Sequence, residues 1–245
     1  MADSRIIVPD GRAKIIIPYR NDVRAMAGGK LLSAKQHQIL LIGIQSNPVT
    51  IASTTAATST IGVELTPRGL YHFFNLHMHE IANRIVSFED ILGSWGRRLQ
   101  QRIGEAANPQ VKIALLQGAL ADLLTRNTKD YSLLDYTLDI IRRSHGIVTV
   151  RSLEAQTGFT KRYLDILFKN HVGLSPKSYA NILRFQTAYQ LWIQGKAPIF
   201  SGDTPQAYYY DQSHFIKEFK RFTGFTPHKY NEVANNFGKS FYVKM

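Results

Sequence analysis

Ten side chains suited to contact with a nucleic acid fall in two clusters in the C-terminal half of the sequence. Lys161, Arg162, Asp165 and Lys169 form the first; Gln212, Ser213, His214, Lys217, Lys220 and Arg221 form the second. Lysine and arginine reach phosphates, arginine pairs with guanine, and glutamine pairs with adenine. The spacing is helical. At about 100° per residue, Lys161, Arg162, Asp165, Ile166 and Lys169 share one side of a helix, with Tyr163, Leu164, Leu167 and Phe168 opposite. In the second cluster Gln212, Ser213, Ile216, Lys217 and Lys220 face outward, and Phe215, Phe219 and Phe222 inward. The competing explanation is a pair of ordinary helical hairpins whose outer faces are only solvated.

Other chemistries are less well supported. His72, His77 and His79 with Glu80 offer metal ligands. They make a cupin-like metal enzyme with a helical appendage the alternative function. Residues 78–86 read as helix, however, and histidines two apart on a helix diverge by about 200°, which favours a structural role. The chain has no cysteine, which excludes disulfides, Cys-based zinc fingers, iron–sulfur clusters and thiol catalysis. Gly28-Gly29-Lys30-Leu31 lacks the upstream glycine and the Ser/Thr of a phosphate loop and reads as a hairpin turn. Glu89 and Asp90 are first-turn helix charges rather than an acid–base pair. No catalytic residue, metal or cofactor is assigned. Tyr208, Tyr209 and Tyr210 are expected to serve packing and phosphate contact more than base stacking.

The elements that position the two clusters form a repeat with a period of 51 residues. Thr160 matches Asp211, Leu164 matches Phe215, and Phe168-Lys169 matches Phe219-Lys220. Gly173-Leu174-Ser175-Pro176 matches Gly224-Phe225-Thr226-Pro227, and Tyr179 matches Tyr230. Thr160 and Asp211 are N-cap residues, Gly173 and Gly224 stop their helices, and Ser-Pro and Thr-Pro start the next ones. Residues 150–157 read as a helix before the first copy, closed by Gly158. Helix, tight turn and capped helix make a helix-turn-helix.

Before the repeat the chain has a different character. Residues 6–8 and 13–17 are β-branched runs split by the turn Pro9-Asp10-Gly11, and 40–44, 49–51 and 61–65 read as further short strands. The stretch 52–60 suits strand or loop. This part resembles a small antiparallel barrel or sandwich. From residue 78 the period turns helical. Ser87-Phe88-Glu89-Asp90 has the form of a capping box, and helices are predicted over 91–103 and 110–124. Their faces suit either a homodimer contact or a cover for the β layer. Polar residues 126–130 read as the linker. The fold class is therefore α+β, with a β-rich sensor-like domain and trailing helices at 1–128 and an all-α double helix-turn-helix domain at 129–245.

The 245 residues carry 30 basic and 18 acidic groups, net +12. Residues 131–245 hold +7 of that excess in the shorter segment, which marks a polyanion site there. No apolar run approaches the roughly 20 residues of a membrane span. No basic, then apolar, leader opens the chain, so a cytoplasmic protein without a membrane partner is expected.

Residues 131–230 resemble the double helix-turn-helix domain of the AraC/XylS family of bacterial transcription regulators. Asp211-Gln212-Ser213-His214-Phe215, Phe219-Lys220-Arg221 and Gly224-Phe225-Thr226-Pro227 carry that signature. The resemblance implies sequence-specific binding to double-stranded DNA. It implies recognition helices at 161–170 and 212–221, and a rigid connecting helix within 179–192. A small-molecule effector and RNA polymerase are the further expected partners. The N-terminal part is similar to the sensor domain of one subgroup through residues 5–11, 65–70 and 86–90. The sequence departs from the family at Thr204 and Tyr208, where Ala and Gly are usual, and at Glu154, the matching Ala position of the first motif. Pro205 and Gly202 shorten the second support helix, so the first motif is expected to read more strictly. A sequence-independent DNA-coating protein is a third reading.

Overall fold

The computed structural model describes residues 4–27, 29–53, 58–125, 130–196 and 207–233. Most of the linker at 126–129, part of the stretch 52–60, and all but the end of the second support segment 201–207 lie outside them. The strands are β1 (Ser4–Ile7), β2 (Ala13–Arg20), β3 (Val23–Ala27), β4 (Lys30–Ala34), β5 (Leu40–Ile42), β6 (Val49–Ser53), β7 (Ser59–Leu65) and β8 (Ile85–Ser87). They form two antiparallel four-stranded sheets, ordered β1-β6-β3-β4 and β7-β2-β5-β8, with no strand pairing between them among the described residues. The arrangement is sandwich-like rather than a closed barrel.

The second sheet is a middle layer, and its central strand shows why. β2 reads Ala-Lys-Ile-Ile-Ile-Pro-Tyr-Arg and is buried on both faces, so it lacks the alternation of a half-solvated strand. Ile16, Leu40, Ile42 and Ile85 pack against Ala25, Ala27, Val49 and Ile51 of the first sheet. Ile15, Ile17, Leu41, Ile61 and Leu65 turn the other way, into the core formed with the helices.

The helices are α1 (Pro67–Phe73), α2 (Phe88–Glu105), α3 (Pro109–Thr125), α4 (Ser132–Arg143), α5 (Val150–Thr157), α6 (Lys161–His171), α7 (Pro176–Ile193), α8 (Gln212–Thr223) and α9 (Pro227–Val233). Ser87 caps α2, its Oγ accepting from the Asp90 N–H at 3.0 Å. Residues 78–86 are not a helix. A single 3-10 turn at Met78–Glu80 leads into β8. α2 and α3 bury Leu99, Ile103, Leu116, Leu120 and Leu123, with α2 meeting β8 and α3 packing on α2 and α1.

The core is continuous. It runs from Val8 and Ile15 through Leu120, Leu134 and Ile141 to Phe185, Phe219 and Phe222 without a break between the two halves. The Pro9-Asp10-Gly11 turn is part of this seam. Asp10 accepts from the Arg12 N–H at 3.0 Å and from Lys14 Nζ at 2.6 Å, which fixes the turn. The Pro9 carbonyl accepts a buried hydrogen bond from Gln186 Nε2 on α7. Gly11, at φ +75°, lies so close to α7 that a Cβ would meet the Tyr179 ring at 3.0 Å.

Candidate nucleic-acid interface

The helix expected to be the first recognition helix, α6, is held by local devices. Thr160 caps it, its Oγ1 facing the Tyr163 N–H at 3.4 Å. Glu154, the departure noted in the sequence, supplies a second cap from α5. Its Oε1 accepts from the Lys161 N–H at 2.6 Å, satisfying a first-turn donor that alanine would leave open. Leu153, Leu164 and Phe168 then seat α6 on α5 and the core, all of them buried. Gly158, left-handed at φ 76°, makes the turn between the helices.

The outer face of α6 presents Lys161, Arg162 and Lys169 to solvent, with Asp165 half-buried beside them. Together with Ile166 they line one open concavity. Among the described residues none of these charged groups is tied in an ion pair, so their charges are uncommitted. Tyr163 does not face inward as its helical angle suggested. It is 47% exposed and stacks on Phe159, ring centroids 4.9 Å apart, bracing the turn from outside.

The helix expected to be the second recognition helix, α8, is capped by Asp211, whose Oδ1 accepts from the His214 N–H at 2.7 Å. Phe215, Phe219 and Phe222 are buried as the periodicity requires, against Phe185, Tyr189, Trp192 and Tyr230. Gln212, Ser213, Lys217, Lys220 and Arg221 are exposed, and His214 is half-buried. Ile216, expected on the outer face, packs instead against the core.

The second support segment lies mostly outside the described residues; among those described, Tyr209 packs against the start of α8. Tyr209 is 2% exposed and lies edge-on to His214 and Phe215 at 5.2 and 5.3 Å. The Arg184 guanidinium covers its ring at 5.2 Å and pairs with Glu218 of α8 at 2.7 Å, linking α7 to α8. Burial pushes the Tyr209 phenol well above its ordinary range, with the Glu218 charge adding to the shift. Tyr208 is half-buried and Tyr210 exposed. Glu154 was noted in the sequence only as a departure, without its capping role, and the Arg184–Glu218 pair was not singled out. The available signal was a glutamate interrupting the apolar stripe of α8.

The seam between the halves reaches the first reader directly. Gly173, at φ +87°, ends α6 against the 3-10 turn, where a Cβ would sit 2.6 Å from the Met78 carbonyl oxygen. His171 packs edge-on to Tyr131 at 5.3 Å and Tyr71 at 6.2 Å. Arg68 of α1 binds Asp135 at 2.8 Å and Asp139 at 3.0 Å, both on α4. Beside this tie lies a cleft of about 440 Å3, lined by Arg12, Arg68, Leu138, Arg142, Tyr179 and Leu183 among others. Its walls come from both halves of the chain.

The histidines of the metal reading are spread over separate contacts. His72 packs against Tyr71 and Tyr131, both at 5.0 Å, while His77 and His79 lie 5.7 Å apart at the 3-10 turn. Among the described residues, no three His, Asp or Glu side chains are grouped to hold a metal ion. Nor, among them, is any helix long and apolar enough to cross a membrane.

Two capped helices with outward polar faces, α6 and α8, thus stand at either end of one long helix, α7. Residues 153–232 match the family described as helix-turn-helix domain, and residues 2–87 match a domain of unknown function. The F1 operon positive regulatory protein of Yersinia pestis is 30% identical over 86 residues, 35% of this chain and 28% of that protein. The chain thus matches little more than a quarter of that relative's length. ToxT of Vibrio cholerae superposes with a TM-score of 0.53 at 12% identity, covering 96% of this chain and 94% of that one. A ToxT structure with an unsaturated fatty acid bound gives 0.51 at 10% identity, covering 96% of each. At such identity the likeness is one of fold, and it extends over both halves. The family match over residues 153–232 thus agrees with the helix-turn-helix repeat read from the sequence.

Proposed function

We propose that this protein is a sequence-specific, double-stranded-DNA-binding transcription regulator. Residues 1–128 form its sensor part and residues 129–245 its DNA-binding part. The observation that carries the reading is the pair of outward basic helices, α6 and α8, each capped and seated by its own device and both fixed to α7. A merely solvated hairpin needs no such repeated positioning of outward cations. Lys161, Arg162, Asp165 and Lys169 of α6, and Gln212, Ser213, His214, Lys217, Lys220 and Arg221 of α8, are the residues assigned to DNA. They enter successive major grooves on one face.

Effector sensing rests on the cleft. A small molecule there touches the sensor part and α7 at once, so its binding energy bears on the helix that joins the two readers. The fatty-acid-bound ToxT structure, which shares the fold, supports a small-molecule sensing role.

The test is in vitro selection of duplexes by the full chain, followed by competition at rising salt. Affinity should fall steeply with salt, since each phosphate contact releases counterions. Arg162→Ala should change the preferred base at one position, and Lys169→Ala should weaken all sequences alike. Selection that returns no preferred sequence would leave the DNA-coating reading and refute this one.

A further inference from the structure

The outer face of α6 carries one group that charge does not explain. Ile166 is 51% exposed and contributes to no part of the core, although it is a large β-branched side chain. It lies in the concavity formed by Lys161, Arg162, Asp165 and Lys169, one turn beyond Arg162. The repeat sharpens the point. The position matching Ile166 in the second copy is Lys217, also exposed, whereas the isoleucine of α8, Ile216, is turned into the core. The two readers are thus built on one frame and differ here in chemistry, apolar in the first and cationic in the second.

In the major groove, the thymine C5-methyl is the feature of a base pair that an apolar side chain reads. We infer that Ile166 is a specificity-determining residue that packs on a thymine methyl in the half-site under α6, next to the base contacted by Arg162. This inference rests on the regulator reading above. It adds that thymine dependence through a methyl group belongs to the first half-site, at the Ile166 position, with no counterpart at Lys217.

The probe is the duplex selected by the full-length protein, with each thymine replaced in turn by deoxyuridine. That change removes the methyl and leaves every hydrogen-bonding group of the base in place. One replacement under α6 should weaken binding about fourfold, the worth of one buried methyl. Ile166→Ala should bind the thymine duplex more weakly and lose its discrimination between thymine and uracil at that position. Since Ile166 is exposed, the variant should keep the wild-type unfolding midpoint. A wild-type protein indifferent to every replacement under α6, or an Ile166→Ala variant that still prefers the methyl, would overturn the inference while leaving sequence-specific binding intact. A selection that yields no preferred sequence would overturn the regulator reading, and this inference with it.

Discussion

Replacing Tyr209 by alanine tests how the second reader is held. The side chain is 2% exposed, wedged between the Arg184 guanidinium, His214 and Phe215. Truncating a buried aromatic residue costs about 3–5 kcal/mol, transfer and cavity together. Here the lower end applies, because Tyr209 lies on a non-helical segment that can settle into the space. A loss of about 3 kcal/mol leaves a domain of ordinary stability folded, since typical values are about 5–15 kcal/mol. Phe215, Phe219 and Phe222 still pack α8 on α7, so the helix stays formed while its N-terminal end loosens. The assay is binding to a panel of single-base-pair variants of the selected duplex. Mismatches that cost the wild type about 1–3 kcal/mol should cost Tyr209→Ala less under α8 and the same as before under α6. Leu153→Ala, which removes the seat of α6, should do the reverse. In the wild-type protein the two half-sites should be comparably strict, against the first-motif bias suggested by Pro205 and Gly202. Equal flattening of both half-sites by Tyr209→Ala, or a stability change below about 1 kcal/mol, would refute the reasoning.

Glu154→Ala should lower stability by about 0.5–2 kcal/mol, as loss of a helix cap does, and should weaken specific binding through α6; denaturant titration and duplex competition check both. Gly173→Ala forces a Cβ against the Met78 carbonyl at 2.6 Å and strains a left-handed residue, so it should lower the thermal midpoint by several degrees. A midpoint within a degree of wild type would show that the 3-10 turn yields freely. Burial by itself would raise the Asp139 pKa, but hydrogen bonds and charge from Arg68 and Arg142 outweigh it and hold the carboxyl below its ordinary value. Its contribution to stability is therefore fully present above the unfolded-state value and lost as pH falls through the lowered folded value. Asp139→Asn should flatten the acid limb of a stability-against-pH curve, and an unchanged limb would show that the Arg68 tie carries no stability.

Local signals in the sequence were reliable where the residue itself carries the constraint. Thr160, Asp211, Ser175-Pro176 and Gly224 fixed the ends of α6, α7 and α8, because caps and left-handed stops act within a turn. The same Thr-Pro signature stands at Thr66-Pro67 and starts α1, yet α1 has only seven residues and is hidden among strands. β3 escaped notice because Val-Arg-Ala-Met-Ala contributes only small side chains to the core, and β8 because it is three residues long. Tyr163 and Ile216 fell on the wrong sides. Their helical angles lie near the boundary, where a partner such as Phe159 decides. The seam was beyond reach, since Pro9 and Gln186 meet across 177 residues. The cleft and the Arg184–Glu218 pair depend on that kind of long-range meeting.

The connecting helix α7 has 18 residues, which span about 27 Å at 1.5 Å each. One turn of DNA rises about 34 Å. Both ends of α7 are pinned, by Tyr179 against Gly11 at one and by the Tyr189–Tyr230 hydroxyl contact at the other. It therefore works as a keyed shaft. Adding or deleting one residue would not merely lengthen the chain. It would turn the second reader by about 100° relative to the first and displace it along the axis. On the regulator reading, the polypeptide itself therefore sets the spacing of the two half-sites.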